Sequence, residues 1–295
     1  MTPNRLQPLP QVLNVMKRWM VQMRSEVSRR LWLRCKTTVL MAGVLLAGCA
    51  EAPIRPTVPQ ASRPSPPQAA LPSPQHASPQ QLQAHWWARG QDFVLPGKRR
   101  THYHHTHLEG RPVLHARSAA SASMWRHPLR LPADQLGRMH FSWMVPKMIA
   151  GADLSRREGD DTPVRIVLAF DGDHQRLNAG TRMMFELAET LTGEPPPFAT
   201  LMYVWAPHAA PLGSVIHAPR SDRVRSVVVE SGARRLGQWL RYERDVVADF
   251  RAAYGEDPGE LIGIAVMTDS DNTGTEAEAF YGPIELWDAS RRQLL

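Results

Sequence analysis

Cysteine is nearly absent. The 295-residue chain has two, Cys35 and Cys49, and none after residue 49. That excludes a disulfide framework, a thiol nucleophile and cysteine-ligated zinc from everything downstream. A long apolar run is also missing. The longest candidate, 37–47 (TTVLMAGVLLA), has 11 residues, against about 20 for a membrane-crossing helix. Net charge is missing from the body as well. The chain as a whole carries +7, but residues 1–49 hold eight basic residues and one acid, Glu26, leaving 27 of each sign in 50–295. A nucleic-acid partner thereby loses its electrostatic footing. The sequence contains no G-x-S-x-G, H-E-x-x-H, G-x-x-x-x-G-K-[ST] or G-x-G-x-x-G, which removes the common hydrolase, zinc-protease and nucleotide-cofactor signatures.

The first 48 residues read as an address. A basic segment precedes the short apolar run, which ends Leu46-Ala47-Gly48-Cys49. This is the layout of an export signal. Small residues before a cysteine resemble the bacterial lipobox, in which cleavage precedes a lipidated Cys49. The following residue is Ala50 rather than Asp, so the resemblance implies outer-membrane sorting, facing the periplasm. The run Ser28-Arg29-Arg30-Leu31-Trp32-Leu33 also resembles a twin-arginine export motif.

Residues 49–82 form a linker. Nine prolines fall between 50 and 79, with Ala, Ser and Gln filling most of the rest, and such a composition cannot bury enough apolar surface to fold. Residues 83–295 are then long enough for one large core. Period-two alternation appears at 139–145, and mostly apolar runs at 164–170, 201–205, 225–230, 261–267 and 284–287. Weaker strand candidates are 92–95, 101–107, 112–118 and 238–243, with a hairpin turn at 108–111. Helical spacing marks 181–191, where Met184, Leu187, Ala188 and Leu191 share a face, and 245–254, which ends at Gly255. A further short helix is expected after Pro79. Many strands with few helices predict an all-β fold: an antiparallel β-sandwich, jelly-roll-like, with two or three short peripheral helices.

Three acidic clusters follow strands: Asp153 with Asp160 and Asp161; Asp171 with Asp173; and Asp269, Asp271 and Asn272 with Thr273. Hard cations take six to eight oxygens from such loops. The third cluster starts with EF-hand spacing, but its twelfth position is Phe280 rather than Glu, so an EF-hand is rejected. A sandwich-loop calcium site using Asp269, Asp271 and Thr273 stays open, beside the plainer reading that these residues cap loop amides. Paired acids also raise glycoside hydrolysis, which needs two carboxyls about 5–9.5 Å apart in an open cleft. If strands 139–145 and 163–170 are antiparallel neighbours, the first cluster and Asp171 lie at opposite ends. The direction of strand 261–267 decides whether Asp269 and Asp271 join the first cluster. Trp287 is the best candidate for an exposed aromatic platform. His102, His104, His105, His107 and His115 sit on a hairpin, and only an ordered second shell would make a metal site of them.

Several segments together resemble a bacterial family known as domain of unknown function 3047: 116–123, Gly151-Ala152-Asp153-Leu154 with Gly159-Asp160-Asp161, and Tyr203-Val204-Trp205. The resemblance continues through Ser231-Gly232, Gly237-Gln238-Trp239, 269–274 and Tyr281-Gly282-Pro283-Ile284, so it covers roughly 90–287. It implies an exported bacterial domain and supplies no activity. The expected function is a membrane-tethered envelope lipoprotein whose β-sandwich is a binding module. Its ligand sites would draw on Asp153, Asp160, Asp161, Asp269, Asp271, Asn272 and Trp287. Its partners would be the membrane, through the anchor, and an envelope glycan or protein. The alternatives are a glycan hydrolase using the acidic loops and a structural envelope protein without a small ligand.

Overall fold

The computed structural model describes residues 86–295 except Arg220. The signal segment, the Cys49 lipidation site, the linker and the short helix expected just after Pro79 lie outside the described residues. Among the described residues, no helix is long and apolar enough to cross a membrane.

Alternation translates directly into strands. In Arg138–Met144 (β5), Met139, Phe141 and Trp143 are buried while His140 and Ser142 are partly exposed, because successive side chains leave a strand on opposite faces. Twelve strands are described. The others are Gln91–Val94 (β1), His102–Leu108 (β2), Arg111–Ala119 (β3), Ala122–Leu131 (β4), Arg165–Phe170 (β6), Ala199–Ala206 (β7), Val215–His217 (β8), Val224–Ser231 (β9), Leu240–Asp245 (β10), Leu261–Asp269 (β11) and Glu276–Trp287 (β12). They form two sheets, of order β1-β4-β11-β6-β7-β9-β8 and β10-β5-β12-β3-β2.

The two sheets share one core. Ile166, Leu168, Phe170, Leu201, Tyr203 and Trp205 from the larger sheet meet Phe141, Trp143, Leu114, Tyr281 and Leu286 from the smaller. The Phe141 ring stacks on Tyr203 at 5.4 Å. Truncating any one of these large side chains to Ala would cost about 2–5 kcal/mol. The larger sheet is also covered on its outer face. Leu154, Val204, Ala206 and Val228 bury one another there, which is why 201–205 reads apolar on both faces.

The fold is the expected all-β sandwich, with several corrections. Strands β5 and β6 are not neighbours but belong to different sheets. Strands β7 and β9 run parallel, a departure from the antiparallel pattern. Strand β4 escaped the sequence reading because its apolar pattern is interrupted by Arg126, His127 and Pro128. Strand β1 pairs only with Ser123–Arg126, so Pro128 falls where one side of β4 is open, and its missing N–H costs no ladder bond there. Strand β12 begins eight residues earlier than the 284–287 run. Its interior Pro283 sits where the register shifts between Tyr281 and Ile284, a bulge that tolerates proline. A side chain at Gly282 would come within 2.2 Å of Ser142 Oγ. Strand β8 is too short to give a pattern.

Helices form at Ala179–Thr192 (α1) and Val246–Tyr254 (α2). Asn178 and Asp245 cap them, accepting from the Thr181 and Ala248 amides at 2.9 Å, and Gly255 closes α2 at φ 70°. The stripe on α1 is not a core face: Met184, Leu187 and Leu191 are exposed, and no residue of that helix is fully buried.

Candidate functional site

Strands β6 and β11 are antiparallel neighbours, with Met267 opposite Arg165. The end of β11 therefore meets the loop that leads into β6. This settles the grouping left open by the sequence: Asp269 and Asp271 join Asp160 and Asp161. One carboxylate oxygen each from Asp161, Asp269 and Asp271 lies within 4.8 Å of the others. Asp153 stands apart, bonded to its own turn through Ser155 N at 3.0 Å and Ser155 Oγ at 2.7 Å.

Most oxygens of the cluster are already engaged. Asp161, fully buried, accepts from Asn272 N and Nδ2 at 3.1 Å on one oxygen and from Thr273 N and Oγ1 at 2.7 Å on the other. Asp269 accepts from Arg165 Nε at 3.1 Å, Arg165 Nη2 at 3.0 Å and Thr162 N at 3.2 Å. Asp160 accepts from Arg165 Nη2 at 3.1 Å, and Asp271 pairs with Lys98. Burial pushes the Asp269 carboxyl up to about 6 against the pull of Arg165, with Asp161 and Asp160 adding to the rise. Burial also works against the charge of Arg165, but Asp269 and Asp160 more than offset it and hold its pKa above the ordinary value. The cations of this cluster are the chain's own guanidinium and ammonium. Calcium at Asp269, Asp271 and Thr273 would have to displace Lys98 and compete with Arg165. The arrangement is a clasp that fastens the loop after β11 to the loop before β6.

A hydroxyl network extends the clasp across both sheets. Ser118 Oγ of β3 meets Ser270 Oγ at 2.7 Å and Ser121 Oγ at 2.9 Å, and Tyr281 of β12 donates to Met267 O at 2.7 Å.

A different surface is open. Outward residues of β10, β5 and β12 line up in rows: Asp245, Arg138 and Trp287; then Glu243, His140 and Glu285. His140 Nε2 lies 3.5 Å from Glu243 Oε2, and its Nδ1 lies 3.9 Å from Glu285 Oε2. Arg138 pairs with Glu243. The partly buried Trp287 ring lies 6.0 Å from the His140 ring and donates Nε1–H to Glu285 at 3.2 Å. Trp287, Arg138, His140 and Glu243 line a groove of about 960 Å³ beside α2. His140, Glu243 and Glu285 line a second, of about 380 Å³, that adjoins it across β5. None of Asp153, Asp160, Asp161, Asp269 and Asp271 lines either groove. Trp287, expected as an exposed platform, is partly buried at the groove's edge, and Arg138, His140, Glu243 and Glu285 beside it were not among the expected site residues. Their signal was available: they occupy the polar positions of strands whose alternate positions are apolar.

Against known proteins, residues 84–285 match the model of a family described as "Protein of unknown function (DUF3047)". The chain belongs to that family. No curated protein matches it. Among solved structures it is similar to the xyloglucanase domain of NopAA, a type three effector from Sinorhizobium fredii, in complex with cellobiose. The identity is 9%, the TM-score 0.32, and the likeness covers 70% of this chain and 97% of that one. The segments that carry the DUF3047 resemblance are scattered in sequence but largely gather at the clasp: 116–123 supplies Ser118 and Ser121, 151–161 supplies Asp160 and Asp161, and 269–274 supplies Asp269, Asn272 and Thr273. Trp205 joins through its carbonyl, which accepts from Thr162 Oγ1 at 2.7 Å, and its indole donates to Gly232 O at 2.8 Å.

Proposed function

We propose that this DUF3047 domain is a non-enzymatic binding module for carbohydrate, tethered to the outer membrane through lipid on Cys49 and carried on the Pro-rich linker. The observation that carries the binding reading is the outer face of the smaller sheet. There, a partly buried indole lines a groove with carboxylates, guanidinium groups and an imidazole around it. Sugars present C–H faces that pack on aromatic rings and hydroxyls that bond to charged side chains, so this mixture suits them. Asp160, Asp161, Asp269 and Asp271 are assigned to the clasp, because their carboxylates are buried or paired rather than set in a cleft. That argues against the hydrolase reading at those residues.

The test is a glycan-array and calorimetric screen of the full chain beside Trp287→Ala. The expected result is binding of at least one envelope glycan that weakens tenfold or more in the variant, without release of reducing ends. Equal binding by both proteins would move the site elsewhere, and turnover would replace the module reading with an enzymatic one.

A further inference from the structure

The histidine-rich hairpin carries a feature that the binding groove does not use. Strands β2 and β3 place His104 directly opposite His115. Both side chains lie on the outer face of the smaller sheet. His104 Nε2 and His115 Nδ1 face each other at 3.2 Å, with the rings inclined at 66°. The other nitrogen of His115, Nε2, lies 2.7 Å from Glu278 Oε1 on β12. The His115 ring also stacks on Phe280 at 4.3 Å and 7°. His115 is therefore fixed in rotation by the stack and in tautomer by the carboxylate: Nε2–H donates to Glu278, and Nδ1 presents its lone pair toward His104.

We propose that His104 Nε2 and His115 Nδ1 form a two-histidine zinc site, with Glu278 as the outer carboxylate that orients His115. Three observations support this assignment. A carboxylate on the far nitrogen of a ligating histidine is the usual outer-shell partner of zinc-bound imidazole. The spacing also fits. Two nitrogens about 2.0–2.1 Å from a tetrahedral ion are about 3.3 Å apart, which is close to the observed 3.2 Å, whereas the right angle of a tetragonal ion brings them to about 2.9 Å. The site is also accessible, since the pair lies on an exposed strand face. On zinc binding the proton that neutral His104 holds between the two nitrogens moves to its Nδ1, so His104 Nε2 and His115 Nδ1 both ligate as neutral imidazoles, and water would complete the tetrahedron. His102 lies opposite Arg117 in the next row and is outside the pair.

The experiment uses the full chain carrying Cys35→Ser and Cys49→Ser, so that no thiolate competes. Zinc is titrated at pH 7.5 against a fluorescent chelator, with imidazole resonances followed by NMR. One equivalent of saturable zinc should bind, weakened tenfold or more by His104→Ala and by His115→Ala. Glu278→Gln should weaken it by about tenfold, and His102→Ala and His107→Ala should leave it within twofold. Resonances of His104 and His115 should move together on zinc addition, a readout that does not depend on how any variant folds. Zinc binding unchanged in His104→Ala, perturbation confined to other histidines, or failure of the chain to saturate would each overturn the proposal.

Discussion

Asp161→Ala tests whether the acidic cluster is a clasp or a calcium site. The carboxylate is fully buried and accepts four hydrogen bonds from Asn272 and Thr273. Truncation removes the acceptor shared by two backbone N–H groups and two side-chain donors, although Asn272 Nδ2 keeps its bond to Asp160 O and Thr273 Oγ1 its contact with Thr275 Oγ1, both at 2.9 Å. A buried donor left unsatisfied costs about 1–3 kcal/mol. The side-chain donors can turn toward other partners, so the two backbone groups set the scale, at about 3 kcal/mol. For a domain of this size each kcal/mol moves the melting temperature by about 2–4 °C, which gives a fall of about 6–12 °C. Asp153→Ala, which loses only the local bonds to Ser155, should cost under about 1 kcal/mol and serves as the control. The assay is thermal melting by near-ultraviolet circular dichroism, with added calcium and with chelator. A clasp built from protein donors is insensitive to both, whereas a bound ion would stabilise the native state in proportion to its saturation. Two results would refute the reasoning: Asp161→Ala melting with the control, or chelator lowering the wild-type transition as far as the substitution does.

Other predictions bear on different levels. Gly259→Ala would place a methyl carbon 2.0 Å from the Asp171 carbonyl oxygen, a backbone clash expected to lower stability by about 1–3 kcal/mol or more; wild-type melting would show that the loop yields freely. Asp269 has a carboxyl raised to about 6 by burial, so folding takes up a proton between about pH 4 and 6. The contribution of this group to stability therefore falls as pH rises through that window. Carbon-13 NMR should find one Asp carboxyl titrating near 6, and titration of every Asp near 4 would contradict the assignment. Cys49→Ser should abolish incorporation of labelled fatty acid, and persistent labelling would refute lipidation at that residue.

Legibility followed burial pattern. Strands with one apolar face, such as β5, were readable from alternation, and so were runs buried on both faces, such as β7. Strand β4 was not, because Pro128 is acceptable only where one side of the strand has no neighbour, and that is a property of the sheet. The stripe on α1 has real helical spacing, yet it faces solvent. Periodicity reports that one face is apolar and says nothing about whether the fold covers it.

For the candidate sites the division is similar. The sequence by itself determined the charge-neutral body, the lack of cysteine and of the common nucleotide-binding motifs downstream of residue 49, the sandwich class, and which loops are acidic. These depend on composition and on neighbours along the chain. Tertiary structure alone decided what those residues meet. Antiparallel pairing of β6 and β11 brings residues more than a hundred positions apart to the same end, where Arg165 and Lys98 engage acids that a linear reading offers to calcium. Cross-strand register sets Glu243 and Glu285 on either side of His140, and His104 against His115. A register is fixed by the packing of whole sheets, so no local stretch of sequence could have announced either pairing.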